Sequence, residues 1–163
     1  SALRNLRFTF GSENSTSGRL MPEYFLNIAG VKTSGFKGKK PGFSGSHDAT
    51  VALVNSGAFE AGALNKQIWE KNLKNNPKRT KNIDVFFVTP SYVDYHWLSQ
   101  GDLDEKFYSG FTKKLKKAIL NLNENNPNHK IILEMFNAKK FIDSDAKQYK
   151  NIEEIGRKLK KIR

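Results

Sequence analysis

Two short polar runs hold the residues best suited to chemistry. The first, "NSTSG", is Asn14, Ser15, Thr16, Ser17 and Gly18, and the second, "SGSHDA", centres on Ser46 and His47. Each stands directly ahead of an apolar run with helical spacing. Small hydroxyl residues at such a place cap a helix by accepting its first unpaired N–H groups. The same unpaired N–H groups, with the positive end of the helix dipole, suit an anion. Ser15, Thr16, Ser17 and Ser46 add hydroxyl donors, His47 adds a ring N–H, and Gly18 lets a ligand approach the backbone closely. Each loop by itself reads as an ordinary cap, and two of them, one carrying a histidine, strengthen the anion-cradle reading without displacing the cap.

Other chemistries find less support. Asp48 is adjacent to His47, and neighbours on a helix do not face one another, so they form no part of a triad with a serine. No convincing pair of carboxylates presents itself for acid–base work. His47, His96 and His129 lack metal-ligand spacing on one element, and cysteine is absent, which removes thiolate catalysis and Cys-based zinc sites. Neither an enzyme, a metal site nor a cofactor is expected. "VKTSGFKGKKPGFSG" is glycine- and lysine-rich but does not fit the G-x-x-x-x-G-K-[ST] phosphate loop.

The elements that must position these loops alternate. Leu6–Phe10 alternates apolar and polar residues as a strand does, and a helix follows from about Arg19 to Ala29, with Met21, Phe25 and Ile28 on one face and Gly30 as its stop. Phe43 marks a very short strand. A helix starts near His47 and ends at Gly57, and Ala58–Asn65 forms the next strand. "IWEKNLKN" gives a helix closing at Pro77, and Val85–Thr89 reads as a buried strand broken at Pro90. Beyond it, Leu103, Phe107, Phe111, Leu115, Ile119 and Leu122 form one helical stripe, and two further helices lie near 130–137 and 146–162. Strand–helix alternation up to about residue 95 predicts an open α/β sheet, in which both loops reach the same edge.

Bulk properties agree with a folded chain. The 163 residues include 12 Phe, 5 Tyr and 2 Trp, enough aromatic mass for a core. No apolar run reaches the ~18–20 residues of a membrane span, and "SALRNLRFTF" lacks the apolar stretch of a signal peptide. The net charge of +12 raises a nucleic-acid or acidic-membrane partner, but the lysines fall mostly on polar helix faces and near helix ends. Without a reading motif or aromatic interleaving they are read as a solvated surface, with no nucleic-acid partner.

Three stretches in the same order, "FTFGSENSTSGRLMPEYFL", "FSGSHDATVALVNSGAFEAGA" and "PSYVDYHWLSQGDLDEKF", closely resemble the periplasmic phosphonate-binding proteins of ABC transporters, a group that includes binders of phosphite and phosphate-like oxyanions. The likeness weakens but continues through "NAKKFIDSDAKQYKNIEEI". It implies a type II periplasmic-binding-protein lobe, a three-layer α/β/α open sheet, with C-terminal helices. Residues 5–90 would be the second ligand-binding lobe, and 91–163 the hinge return and helices that pack on the first. It also implies that Ser15, Thr16, Ser17 and His47 hold the phosphonate oxygens. Asp94, near the hinge, would accept a hydrogen bond from the ligand. Tyr92, Tyr95 and Trp97 are wall residues on this resemblance, or else core packing.

Two departures matter. Aminophosphonate binders of the family carry a further carboxylate soon after the third strand, where this chain has "GALNKQ", with Asn65, Lys66 and Gln67. A simpler anion (phosphonate, phosphite or phosphate) is therefore expected. Full members also carry a first lobe ahead of the resembling segment, so the expected apolar surface is open to oligomerisation or strand exchange. The resemblance implies a membrane permease as partner and a periplasmic or extracytoplasmic place, with or without a lipid anchor. The alternative function is a ligand-sensing domain of a signalling protein, and a basic nucleic-acid-binding module ranks below it.

Overall fold

A computed structural model describes residues 2–93 and 95–163. Contacts divide the chain into two compact units, 1–94 with 149–163, and 95–148.

The first unit is built on three parallel strands. β1 (Phe8–Phe10) pairs with β2 (Gly42–Phe43) on one side and β3 (Ala61–Gly62) on the other, giving the order β2-β1-β3. A π-type turn, Thr16–Leu20, leads into α1 (Met21–Ile28), and α2 (His47–Asn55) joins β2 to β3. The crossover from β1 to β2 and the one from β2 to β3 run in opposite directions across the sheet. Parallel crossovers are right-handed, so their helices occupy opposite faces, and the three-layer arrangement follows. α3 (Lys66–Asn75) and the short α4 (Pro77–Thr80) follow β3.

β1 carries the core. The alternation of "LRFTF" predicts one wet face, yet Phe8, Thr9 and Phe10 are all buried, because the strand is central and covered on both faces. Thr9 resolves its buried hydroxyl locally, donating to the Phe10 carbonyl at 2.9 Å. Phe8 stacks on Phe36 with centroids 4.7 Å apart and meets Phe10 edge-on at 5.1 Å, with Val31 and Ala61 completing the cluster. Burying each such side chain contributes about 1.5–3 kcal/mol. On the α2 side a Cβ at Gly62 would stand 2.8 Å from Thr50 Cγ2, so the helix sits hard against the sheet there.

The amino edge of the sheet is latched by charge. Glu60, just before β3, accepts from the Arg7 backbone N–H at 2.6 Å and from its guanidinium at 2.9 and 3.0 Å. The Arg7 side-chain bonds hold the Glu60 carboxyl down at about 2, and the same bonds raise the Arg7 guanidinium.

Several expected boundaries shift. The strand expected over Ala58–Asn65 is only Ala61–Gly62. Pro77 does not merely end a helix but opens α4 as its first residue. Val85–Thr89 is not a strand: Val85, Phe86, Phe87 and Val88 are each more than half exposed. A wholly apolar strand needs neighbours on both sides, and the described residues offer it no pairing partner. Phe87 instead meets Phe25 of α1, with centroids 5.9 Å apart.

The final helix, α8 (Lys150–Lys158), follows a single 3-10 turn, Ala146–Tyr149. It buries Ile155 and packs on α1, where Lys161 pairs with Glu23 at 3.4 Å.

The second unit is helical. The stripe from Leu103 to Leu122 is broken into α5 (Leu103–Lys106) and α6 (Phe111–Leu120) by Gly110, whose φ of +83° is left-handed. Asp104 replaces the cap that Gly110 lacks, accepting from the N–H groups of Gly110 at 2.8 Å and Thr112 at 2.7 Å. Its hydrogen bonds with Thr112, and with the Gly110 amide, lower its pKa. α7 (Pro127–Met135) buries Leu133, and Trp97 meets Phe136 and Phe141 edge-on at 5.3 and 5.1 Å.

Candidate functional site

The loops after β1, β2 and β3 all leave the carboxyl edge of the sheet, where ligands of open α/β folds bind. Ser15 caps the first. Its Oγ accepts from Gly18 N at 2.9 Å, and its carbonyl accepts from both Arg19 N at 3.1 Å and Leu20 N at 3.0 Å. That pair of bonds widens the turn into π form, a distortion common at functional sites. The amides of Thr16 and Ser17 precede these bonds and are the first-turn donors for which a helix has no internal acceptor.

Ser46 repeats the device on α2. Its Oγ accepts from Ala49 N at 3.1 Å and its carbonyl from Thr50 N at 3.0 Å. The first-turn donors here are the amides of His47 and Asp48. Both serine hydroxyls use an oxygen lone pair for the cap, which leaves the O–H hydrogen as a donor. Cap and cradle are thus compatible in one residue.

Backbone bonds lock the two loops together. Gly11 N donates to Gly18 O at 2.9 Å, Ser44 N to Phe10 O at 3.0 Å, and Gly45 N to Gly11 O at 3.2 Å. Side chains complete the joint: a Cβ added to Gly18 would stand 2.8 Å from Ser15 Oγ, 3.1 Å from His47 Cε1 and 3.2 Å from Gly11 Cα. Glycine at 18 is therefore required by the neighbours that surround it. Of the expected residues, the structure brings Ser15, Thr16, Ser17, Gly18, Ser46 and His47 to this one edge, with Ser17 and Gly18 buried.

The remaining expected residues divide. Tyr92 lies half-buried in an irregular segment of the first unit. Asp94 lies outside the described residues. Tyr95 belongs to the second unit and is 69% exposed.

Sequence reasoning missed three residues. Ser44 is a hub: its Oγ lies 2.8 Å from Ser46 O, 3.1 Å from Phe10 O and 2.7 Å from Thr50 Oγ1, with one hydrogen to share among them. Asn65, read only as a missing carboxylate, is the buried cap of α3, its Oδ1 accepting from Gln67 N at 2.8 Å and Ile68 N at 3.4 Å. Its own N–H donates to His47 Nδ1 at 3.3 Å. Asn72, also buried, donates from Nδ2 to Asp48 Oδ1 at 3.0 Å and Ile68 O at 2.9 Å. An asparagine directly before the helical run of α3 is the cap signal for Asn65. No local signal announces the links to α2.

The arginine beside the cradle is held by its neighbours. Arg19 pairs with Glu23 at 3.1 Å, donates to the Glu13 carbonyl at 3.3 Å and lies 4.7 Å over the Phe43 ring. Among the described residues no group of three or more His, Cys, Asp or Glu could hold a metal ion.

An edge lined by amides, hydroxyls and an imidazole is a set of donors, a composition chemically suited to an oxyanion. Comparison with known proteins agrees. Residues 1–149 match the family described as ABC transporter, phosphonate, periplasmic substrate-binding protein. The chain is 74% identical over 161 residues to the probable ABC transporter phosphite binding protein PhnD1 of Prochlorococcus marinus (strain MIT 9301). That match covers 99% of this chain and 54% of the relative, so the chain spans about half the relative's length. A solved structure of PhnD1 from Prochlorococcus marinus (MIT 9301), in complex with methylphosphonate, matches with a TM-score of 0.96 and 73% identity, over 99% of this chain and 59% of that one. The open α/β architecture is therefore that of the corresponding part of a type II periplasmic binding protein. With the motif order, the sheet topology and these matches in agreement, this chain belongs to the family of periplasmic phosphonate-binding proteins of ABC transporters.

Proposed function

We propose that the chain carries the anion-holding lobe of a substrate-binding protein that captures a phosphonate or a related phosphorus oxyanion and delivers it to an ABC permease. The observation that carries this reading is the packing of His47 against Gly18, which joins two helix N-termini at one sheet edge. The amides of Thr16, Ser17, His47 and Asp48, the hydroxyls of Ser15, Thr16, Ser17 and Ser46, and the His47 ring replace the water shell of the anion. Asp94 accepts from a protonated oxygen, and Tyr92 and Tyr95 form walls. Residues 5–90 act as lobe two, with 91–163 as hinge return and terminal helices.

The reading is of a transport protein that performs no catalysis, works outside the cytoplasm and has no nucleic-acid partner. Its exposed apolar segment Val85–Val88 is a route to self-association. Closure is a population shift: an anion touched from both lobes favours the closed state, which the permease then reads. The methylphosphonate bound by PhnD1 and the phosphite in the relative's name support phosphorus as the central atom. A thermal-shift panel of methylphosphonate, phosphite, phosphate and sulfate on the full-length protein tests this. Stabilisation by a phosphorus oxyanion over sulfate is expected, and stabilisation by none would overturn the reading.

A further inference from the structure

We infer that α3 acts as the positioning element for His47, setting its ring as the neutral tautomer protonated on Nε2. This rests on the anion-binding reading only for its consequence, not for the tautomer itself. The Asn65 backbone N–H donates to His47 Nδ1 at 3.3 Å. A backbone amide can only donate, so Nδ1 must be the unprotonated nitrogen, and in a neutral imidazole the proton then sits on Nε2.

The donor is itself held firmly. Asn65 is 7% exposed, and its side chain caps α3 through Gln67 N and Ile68 N. Its φ of −68° and ψ of 134° put its N–H on the turn from β3 into the helix. A second anchor from the same helix holds the first turn of α2: Asn72, 2% exposed, donates to the Asp48 carboxylate. One helix thus grips the histidine at its ring and its neighbour at the carboxylate. Third, Gly18 leaves room for the ring edge at Cε1, the atom between the two nitrogens. The imidazole so placed contributes a directed N–H hydrogen bond to an oxyanion, in place of the mobile charge that a protonated ring would bring.

The φ of Asn65 suits proline, which gives a discriminating pair. Asn65→Ala removes the side-chain cap and keeps the N–H, and Asn65→Pro removes both. The full-length protein is labelled with 15N-histidine, and the His47 signals are assigned by their loss in His47→Gln. At a pH where the ring is neutral, the parent and Asn65→Ala are expected to show a pyridine-type Nδ1 and a pyrrole-type Nε2 at His47. Asn65→Pro is expected to shift towards the Nδ1–H form and to bind methylphosphonate roughly 2–10-fold more weakly than Asn65→Ala, the worth of one neutral hydrogen bond. A pyrrole-type Nδ1 in the parent overturns the inference, as do identical spectra for the two variants. Should Asn65→Pro fail to fold, the parent spectrum decides alone. The tautomer is read without ligand, so failure of methylphosphonate to bind would refute the proposed function and leave this result standing.

Discussion

Gly18→Ala is the sharpest perturbation of the cradle. Gly18 is not in the left-handed region, so by helix propensity alone alanine should stabilise by about 0.8–1.0 kcal/mol. The surroundings argue the reverse. The new methyl would stand 2.8 Å from Ser15 Oγ, 3.1 Å from His47 Cε1 and 3.2 Å from Gly11 Cα, whereas carbon contacts relax at about 3.5–4.0 Å. Moving Ser15 gives up its cap on Gly18 N, and moving Gly11 stretches its 2.9 Å bond to Gly18 O. The His47 ring is left as the softest neighbour. Overpacking of this kind costs about 1–3 kcal/mol, which offsets or exceeds the propensity gain and leaves a net loss of up to about 2 kcal/mol. Thermal unfolding should show a midpoint lower by up to about 8 °C. On the proposed function, displacing the ring should weaken methylphosphonate binding roughly three- to tenfold by isothermal titration. A variant as stable as the parent, or more so, with unchanged affinity would refute the close packing of the two loops.

Three further outcomes follow from the surrounding structure. Glu60, held at about 2 against an ordinary 4.5 by Arg7, contributes stability that is full above about pH 4.5 and lost as pH falls towards 2. Urea unfolding across that window should therefore show the parent converging on Glu60→Gln, and parallel curves would contradict the latch. Asp104→Ala should speed amide hydrogen exchange at Gly110 and Thr112, the two groups it caps, and unchanged protection would contradict that role. Asn72→Asp replaces a buried donor with a second carboxylate beside Asp48 and should cost about 1–3 kcal/mol in a urea titration, whereas neutrality would show that α3 does not hold α2 there.

What the sequence made legible was what neighbours in the chain decide. Ser15 and Ser46 announce helix starts because a cap satisfies donors two or three residues away, and the alternation of elements predicts a parallel sheet with both loops on one edge. What stayed hidden depends on residues far apart. Thr9 alternates as a surface residue would, yet β2 and β3 flank its strand from positions 42 and 61 onward, and Thr50 of α2 packs on the same face. Val85–Thr89 has the composition of a buried strand, but composition does not supply a partner strand. Gly110 breaks a stripe whose spacing is helical throughout. Asn65 looked like an absent carboxylate because its backbone, not its side chain, meets His47 across 18 residues.

The central claim is that two helix N-termini hold one oxyanion. A residue-resolved amide NMR titration of the full-length protein with methylphosphonate tests it most directly. The account predicts that the amides of Thr16, Ser17, His47 and Asp48 shift together along one binding curve. Shifts confined to one loop, or to residues away from both, would contradict it.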